Sequence, residues 1–217
     1  MNTDEEKVLA HFERKRTNFL EDYKLQDRPV LTIQCQASFT GTINVERQEV
    51  LRALEAGAKN IAEDGWWHGF ICQQGRVRVF DGMSSARPSE HTKYSTEVHE
   101  DGHFIAAVWG FPEHAGSTLL ADFYGYSFRD ALFTAQQVFE AAGLQGVVSR
   151  TAALENSNKI GFLRGKHEVL PPPGRKLLQW PLEVLSIEEL AKTWARPAAR
   201  LMRAYHETLP SSMNTEF

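Results

Sequence analysis

The stretch HFIAAVWGFPEHAGSTLLADFYGYSFRDALFTAQQVFEAAGLQGVVSRTAAL, residues 103–154, decides the fold class. HFIAAVWGF (103–111) is a strand-sized apolar run, and PEHAGS (112–117) has turn composition. TLLADFY (118–124) predicts a returning strand, with Gly125, Tyr126 and Ser127 as a short connection. From Phe128 to Ala142 the residues Phe128, Ala131, Leu132, Ala135, Val138 and Phe139 recur at helical spacing. Ser127 offers a cap at its start and Gly143 a stop at its end. GVVSRTAAL (146–154) predicts another strand. Strands interleaved with an amphipathic helix imply an α/β domain in which helices cover a central sheet.

The flanks extend this pattern. Residues 4–24 predict a helix with Phe12, Phe19 and Leu20 as an apolar stripe, ended near Asp27–Pro29. VLTIQCQASF (30–39) predicts a strand with Leu31, Ile33 and Cys35 on one face and Thr32, Gln34 and Gln36 on the other. Asn44 can cap a helix running through Val50, Leu51, Leu54, Ala58 and Ile61 to about Asp64–Gly65. WWHGFICQ (66–73) and RVRVF (76–80) read as a hairpin. Residues 81–102 mix small, polar and turn-forming residues and predict an exposed excursion. Beyond 154, Asn156 or Ser157 opens a short helix, and HEVLP (167–171) and KLLQWPL (176–182) are strands around a triple-proline turn. Ser186 caps a last helix with Glu188 and Glu189 in its first turn, and Pro197 interrupts or kinks it. The expectation is one domain over 1–217: a mixed sheet with helices on both faces, and helical additions at 1–28 and 186–210.

Composition narrows the function classes. The 217 residues include 24 Lys and Arg against 28 Asp and Glu, a formal charge of −4. That balance argues against a large non-specific nucleic-acid surface while leaving room for a local basic patch. Two cysteines, Cys35 and Cys72, make no disulfide framework, and a reducing compartment is expected. The first residues carry no secretory signal pattern and no stretch is long enough to span a membrane, so the expected location is cytoplasmic, or a phage virion on the resemblance below.

The segment from 103 to 182 resembles the GNAT superfamily, the N-acetyltransferases that use an acyl-coenzyme A donor. The likeness lies in the order of elements and in E-N-S-N-K-I-G-F-L-R-G-K-H-E-V (155–169). A similar resemblance runs to the degenerate acetyltransferase-like proteins of tailed phages, through A-V-W-G-F-P-E-H-A-G (107–116) and N-S-N-K-I-G-F-L-R (156–164). The resemblance implies acetyl-coenzyme A as the cofactor and a small-molecule amine as the acceptor. It implies a pyrophosphate cradle at Gly125, Tyr126, Ser127 and Arg129, and cofactor contacts at Asn156, Asn158, Phe162 and Arg164. Asp122 or Glu113 would supply the general base, and Trp66 and Trp67 the acceptor groove. The departures are as informative. Y-G-Y-S-F-R-D (124–130) has one glycine where the family has a glycine-rich turn, and Tyr126 and Phe128 would crowd a diphosphate. Phe162 cannot protonate a leaving thiolate.

Other constellations are weaker. His99, Asp101 and His103 have alternating spacing that suggests a metal site, but the spacing crosses a turn at Glu100–Gly102. Arg76, Arg78, Lys159, Arg164, Lys166 and Arg175 either build a basic cleft for phosphates or are ordinary solvated charges. Two readings follow. In one, the chain is an acyl-coenzyme A-dependent N-acyltransferase. In the other, it keeps the fold without the catalysis and serves as a protein-binding or phage-related assembly or accessory protein, with a protein partner or self-association. The missing glycine turn favours the second.

Overall fold

The computed structural model describes residues 3–56, 77–85, 94–109, 120–164 and 168–207. An eight-stranded sheet forms the centre, in the order β10-β6-β1-β5-β4-β3-β2, with β9 also on β6. The central strands are β1 (Val30–Ala37), β5 (His103–Val108) and β6 (Val147–Glu155). β4 (Tyr94–His99), β3 (Gly82–Ser84) and β2 (Val77–Val79) extend one side, while β9 (Leu177–Gln179) and β10 (Glu183–Ser186) line the other. β7 (Phe162–Arg164) and β8 (Glu168–Leu170) make a separate two-stranded ribbon. Every pairing among the described residues is antiparallel. The α/β class with a helix-covered central sheet therefore stands, without the parallel pairing that a mixed sheet requires.

The strand alternation assigns the two faces. Leu31, Ile33, Cys35, Phe104, Ala106, Val108, Val98 and Leu154 point to one side, where they form a single core with α2 (Gln48–Ala56), α3 (Leu120–Ala141) and α4 (Ala195–Ala204). Phe128, Ala131, Leu132, Ala135, Val138 and Phe139, the residues that predict the helix, are all fully buried there. The other face carries α1 (Thr3–Asp22) and a smaller apolar cluster of Phe19, Leu25, Val30, Ile105, Ala107 and Trp109. Phe19 stacks on Tyr23 at 4.4 Å, and Trp109 meets both rings edge-on.

Three local expectations are corrected. Residues 120–124 are helical, so the returning strand at 118–124 gives way to α3, which starts eight residues before Phe128. Leu120, Phe123, Tyr124, Ser127 and Phe128 continue the helical spacing backwards, and a lone Gly125 costs a helix only about 1 kcal/mol. The 81–102 excursion contains β3 and β4, with β4 buried along most of its length. Pro197 falls in the first turn of α4, where its missing N–H has no intrahelical partner to lose, and the helix runs on to Ala204 without interruption. The segment after Asn156 forms one short 3-10 turn, Ser157–Lys159, before β7. Ser186 does cap the next turn, with Ser186 and Glu189 forming a capping box.

Candidate functional site

The residues expected to form a pyrophosphate cradle lie on one continuous helix. Asp122, Gly125, Tyr126, Ser127 and Arg129 all lie within α3. Only the first four amides of a helix, here those of residues 120–123, lack an intrahelical acceptor. The N–H groups of 125–129 are therefore spent on the helix ladder. Ser127 is buried, and Arg129 Nε lies 3.4 Å from Oδ1 of Asp130. Asp130 is fully buried; burial pushes its carboxyl up to about 6 against the pull of Arg129.

Asn156 and Phe162 take structural parts. Asn156 adopts a left-handed backbone (φ 49°) and is 1 % exposed. Its Nδ2 donates to the carbonyls of Gln26 at 2.9 Å and Arg28 at 2.8 Å, which pins the loop between α1 and β1. Asn158 is exposed. Phe162 is fully buried and meets Tyr205 edge-on at 4.8 Å, in the core beneath α4. Arg164 ends β7. Glu113, Trp66 and Trp67 lie outside the described residues, as do Cys72, Arg76 and Lys166. Arg78 pairs with Glu46 at 2.7 Å on the β2 side of the sheet, across five strands from β6, so it does not share a cleft with Lys159 and Arg175.

The densest chemistry lies under α1, and the alternating His99, Asp101 and His103 noted in the sequence belong to it. β4 presents Ser95, Glu97 and His99 to α1, and Asp81 precedes β3. His99 donates from Nδ1 to Asp81 Oδ1 at 2.6 Å and faces Glu97 Oε2 from Nε2 at 3.3 Å. Lys15, only 9 % exposed, reaches Asp81 at 2.5 Å and Asp101 at 3.2 Å. Tyr23 donates to Glu97 Oε1 at 3.1 Å and shares hydrogen bonds of 2.9 Å with Ser84 and Ser95. His103 bonds to Gln34 at 3.2 Å, and its ring lies 5.4 Å from that of His99. Arg16 adds a 3.1 Å contact to Glu155.

Charges govern this cluster. Burial disfavours a charge on His99, but the hydrogen bond and charge of Glu97, with the bond to Asp81, outweigh it and raise its pKa. Burial lowers that of His103 well below the ordinary 6.5, helped by His99 and Lys15. Asp81 is held low: burial would raise it, but its bonds to Lys15 and His99 prevail. Among the described residues no group of three or more His, Cys, Asp or Glu side chains is placed to hold a metal. With each carboxylate oxygen of the Asp81–His99–Glu97 chain facing a cation or a hydroxyl, the cluster acts as an ionic clamp between α1 and the sheet.

A pH prediction follows. His99, with a raised folded-state pKa, contributes stability that is complete below 6.5 and fades as pH rises through its folded value. His103 has the opposite sign: its neutral burial favours the fold above 6.5, and stability falls as pH drops below that. Between them they set a maximum near 6.5. Urea unfolding across pH 5 to 9 should show it (roughly one histidine window either side), and His99→Gln should flatten the alkaline limb and, because His99 also helps to lower His103, soften the acid limb. An unchanged alkaline limb in that variant would contradict the assignment.

No protein-family model, no curated protein and no solved structure matches the chain. No helix among the described residues is long and apolar enough to cross a membrane.

Proposed function

We propose that the chain is a non-catalytic, protein-binding α/β protein, of the assembly or accessory kind suggested by its likeness to acetyltransferase-like phage proteins. One observation carries this reading: α3 runs unbroken through Gly125–Arg129. A pyrophosphate cradle needs free backbone N–H groups converging from a turn and a helix end. The amides of 125–129 are four or more residues inside the helix and already bonded. The other residues in question support the same reading. Asn156 holds a loop, and Phe162 fills the core. Under α1 the carboxylate oxygens of Asp81 and Glu97 are all engaged by Lys15, His99 and Tyr23, while His103 Nδ1, Gln34 Nε2 and Gln36 Oε1 beside them are buried without a hydrogen-bond partner among the described residues.

The test is calorimetric titration with acetyl-coenzyme A and with coenzyme A. No heat is expected at millimolar ligand. Micromolar binding that is lost on Arg129→Ala would overturn the reading in favour of an acyl-coenzyme A-dependent N-acyltransferase, and amine acceptors would then be screened.

A further inference from the structure

Three loops meet at one end of the sheet, and each brings cations. Val30 pairs with Glu155 and Glu155 with Leu177, so the residues just before β1, just after β6 and just before β9 are neighbours. Lys24 and Arg28 stand on the first loop, Lys159 on the second, and Arg175 and Lys176 on the third; all five are exposed. The loops are tied together through backbone atoms. Asn156 binds the carbonyls of Gln26 and Arg28, and Lys159 Nζ donates to the Asp27 carbonyl at 2.8 Å. The Ser157 amide donates to Lys176 at 3.0 Å, and its hydroxyl to the Arg175 carbonyl. Among the described residues none of the five cations forms an ion pair. Glu155, the acid that ends β6, is engaged by Arg16 instead. Asp27 is the one acid on the same loops.

The arrangement is unusual for a chain of formal charge −4. Five cations held on pinned loops repel one another, and among the described residues Asp27 is the one acid on those loops to offset that cost. We propose that this basic patch docks a short acidic segment of a protein partner. The proposal rests on the protein-binding reading above and names the chemistry of the partner. Two features favour a protein carboxylate segment over nucleic acid. Among the described residues no exposed aromatic stands with the five cations to stack a base. A long polyanion would also extend beyond the patch along a chain whose other 19 Lys and Arg (24 − 5) are outnumbered by 28 Asp and Glu, whereas a short segment would not. The guanidinium groups of Arg28 and Arg175 suit bidentate carboxylate contacts, and Lys24 and Lys176 add reach and field.

The experiment is fluorescence anisotropy on the full chain with labelled oligoglutamate, and with duplex DNA as the competing probe. Saturable oligoglutamate binding that weakens with salt is expected, with a loss of at least about tenfold in Arg28→Glu/Arg175→Glu/Lys176→Glu. Lys159 is left in place because it holds the Asp27 carbonyl. If the triple variant melts early, the single Gln variants at the same positions, with unchanged circular dichroism, give the answer. Tighter binding of the duplex through these residues would overturn the proposal in favour of a nucleic-acid surface. A salt-sensitive dimer lost in the variant would overturn it in favour of a second copy, whose acidic first turn at Asp4–Glu6 would be the occupant. Absence of saturable binding to either probe would also sink it. Heat on acetyl-coenzyme A titration, by contrast, would defeat the non-catalytic reading whatever the anisotropy shows.

Discussion

Arg150→Ala should destabilise the protein by about 2–3 kcal/mol, below the about 3–5 kcal/mol for a fully buried ion pair because the Glu183 side chain is 26 % exposed. Arg150 is 4 % exposed on β6 and points to the core side of the sheet. Its Nε and Nη2 donate to Glu183 Oε2 at 2.9 and 2.6 Å, joining β6 to β10. Nη1 donates to the Thr193 hydroxyl at 2.7 Å, and Nη2 to the Thr193 carbonyl at 3.3 Å, fixing the approach to α4. Trp180 and Pro197 line the same small pocket, and Trp180 Nε1 donates to the Pro197 carbonyl at 2.9 Å. Truncation would leave Glu183 with only Arg200, at 3.4 Å. Replacing both members, as Arg150→Met/Glu183→Gln, should recover much of the loss, because the desolvation of two charges disappears with the pair. Urea melts of the two single variants and the double variant measure this. A loss below 1 kcal/mol for Arg150→Ala (roughly the level of a surface pair) would show that the pair is solvated.

Phe104→Ala should cost more, about 3–5 kcal/mol, for a different reason. Phe104 sits on β5 between Cys35 on β1 and Val98 on β4, fully buried. Its ring meets Phe139 of α3 edge-on at 6.4 Å. Its cross-strand neighbour Cys35 is small, so the phenyl ring fills the space between sheet and helix. Removing it leaves a cavity that a rigid sheet cannot close. Phe104→Leu should cost roughly 1.5 kcal/mol or less, since most of the volume is kept. Thermal melts order the two; equal losses would show that α3 relaxes inward and that the site is not a rigid contact.

The apolar skeleton could be read from the chain. The alternation of Leu31, Ile33 and Cys35, the run at 103–108 and the spacing from Phe128 to Phe139 all report burial through side chains that have no other use for it. β4 escaped because its side toward α1 is polar: Ser95, Glu97 and His99 are buried against Lys15 and Tyr23, partners that lie more than 70 residues away. A pattern rule that equates polar with exposed cannot find such a strand. The start of α3 escaped because Leu119, Ala121 and Phe123 also alternate, and a glycine at 125 resembles a break. The basic group at Lys159 and Arg175 was half visible. Lys24 and Arg28 join it only because β1 and β6 are neighbours, a pairing that no local signal announces.

The central place of β1 also has a consequence for synthesis. Leu31 bonds across to Val108 on one side and to Leu154 on the other. The strand made first is thus completed by the strand made about 120 residues later, at ordinary elongation rates on the order of ten seconds. Leu31 and Ile33 have no partner strand until β5 is made, and their β6 side stays open until residue 155. Contacts so distant along the chain also make for slow folding once the chain is released. The nascent protein is therefore an expected client for holding chaperones until residue 155 clears the ribosome.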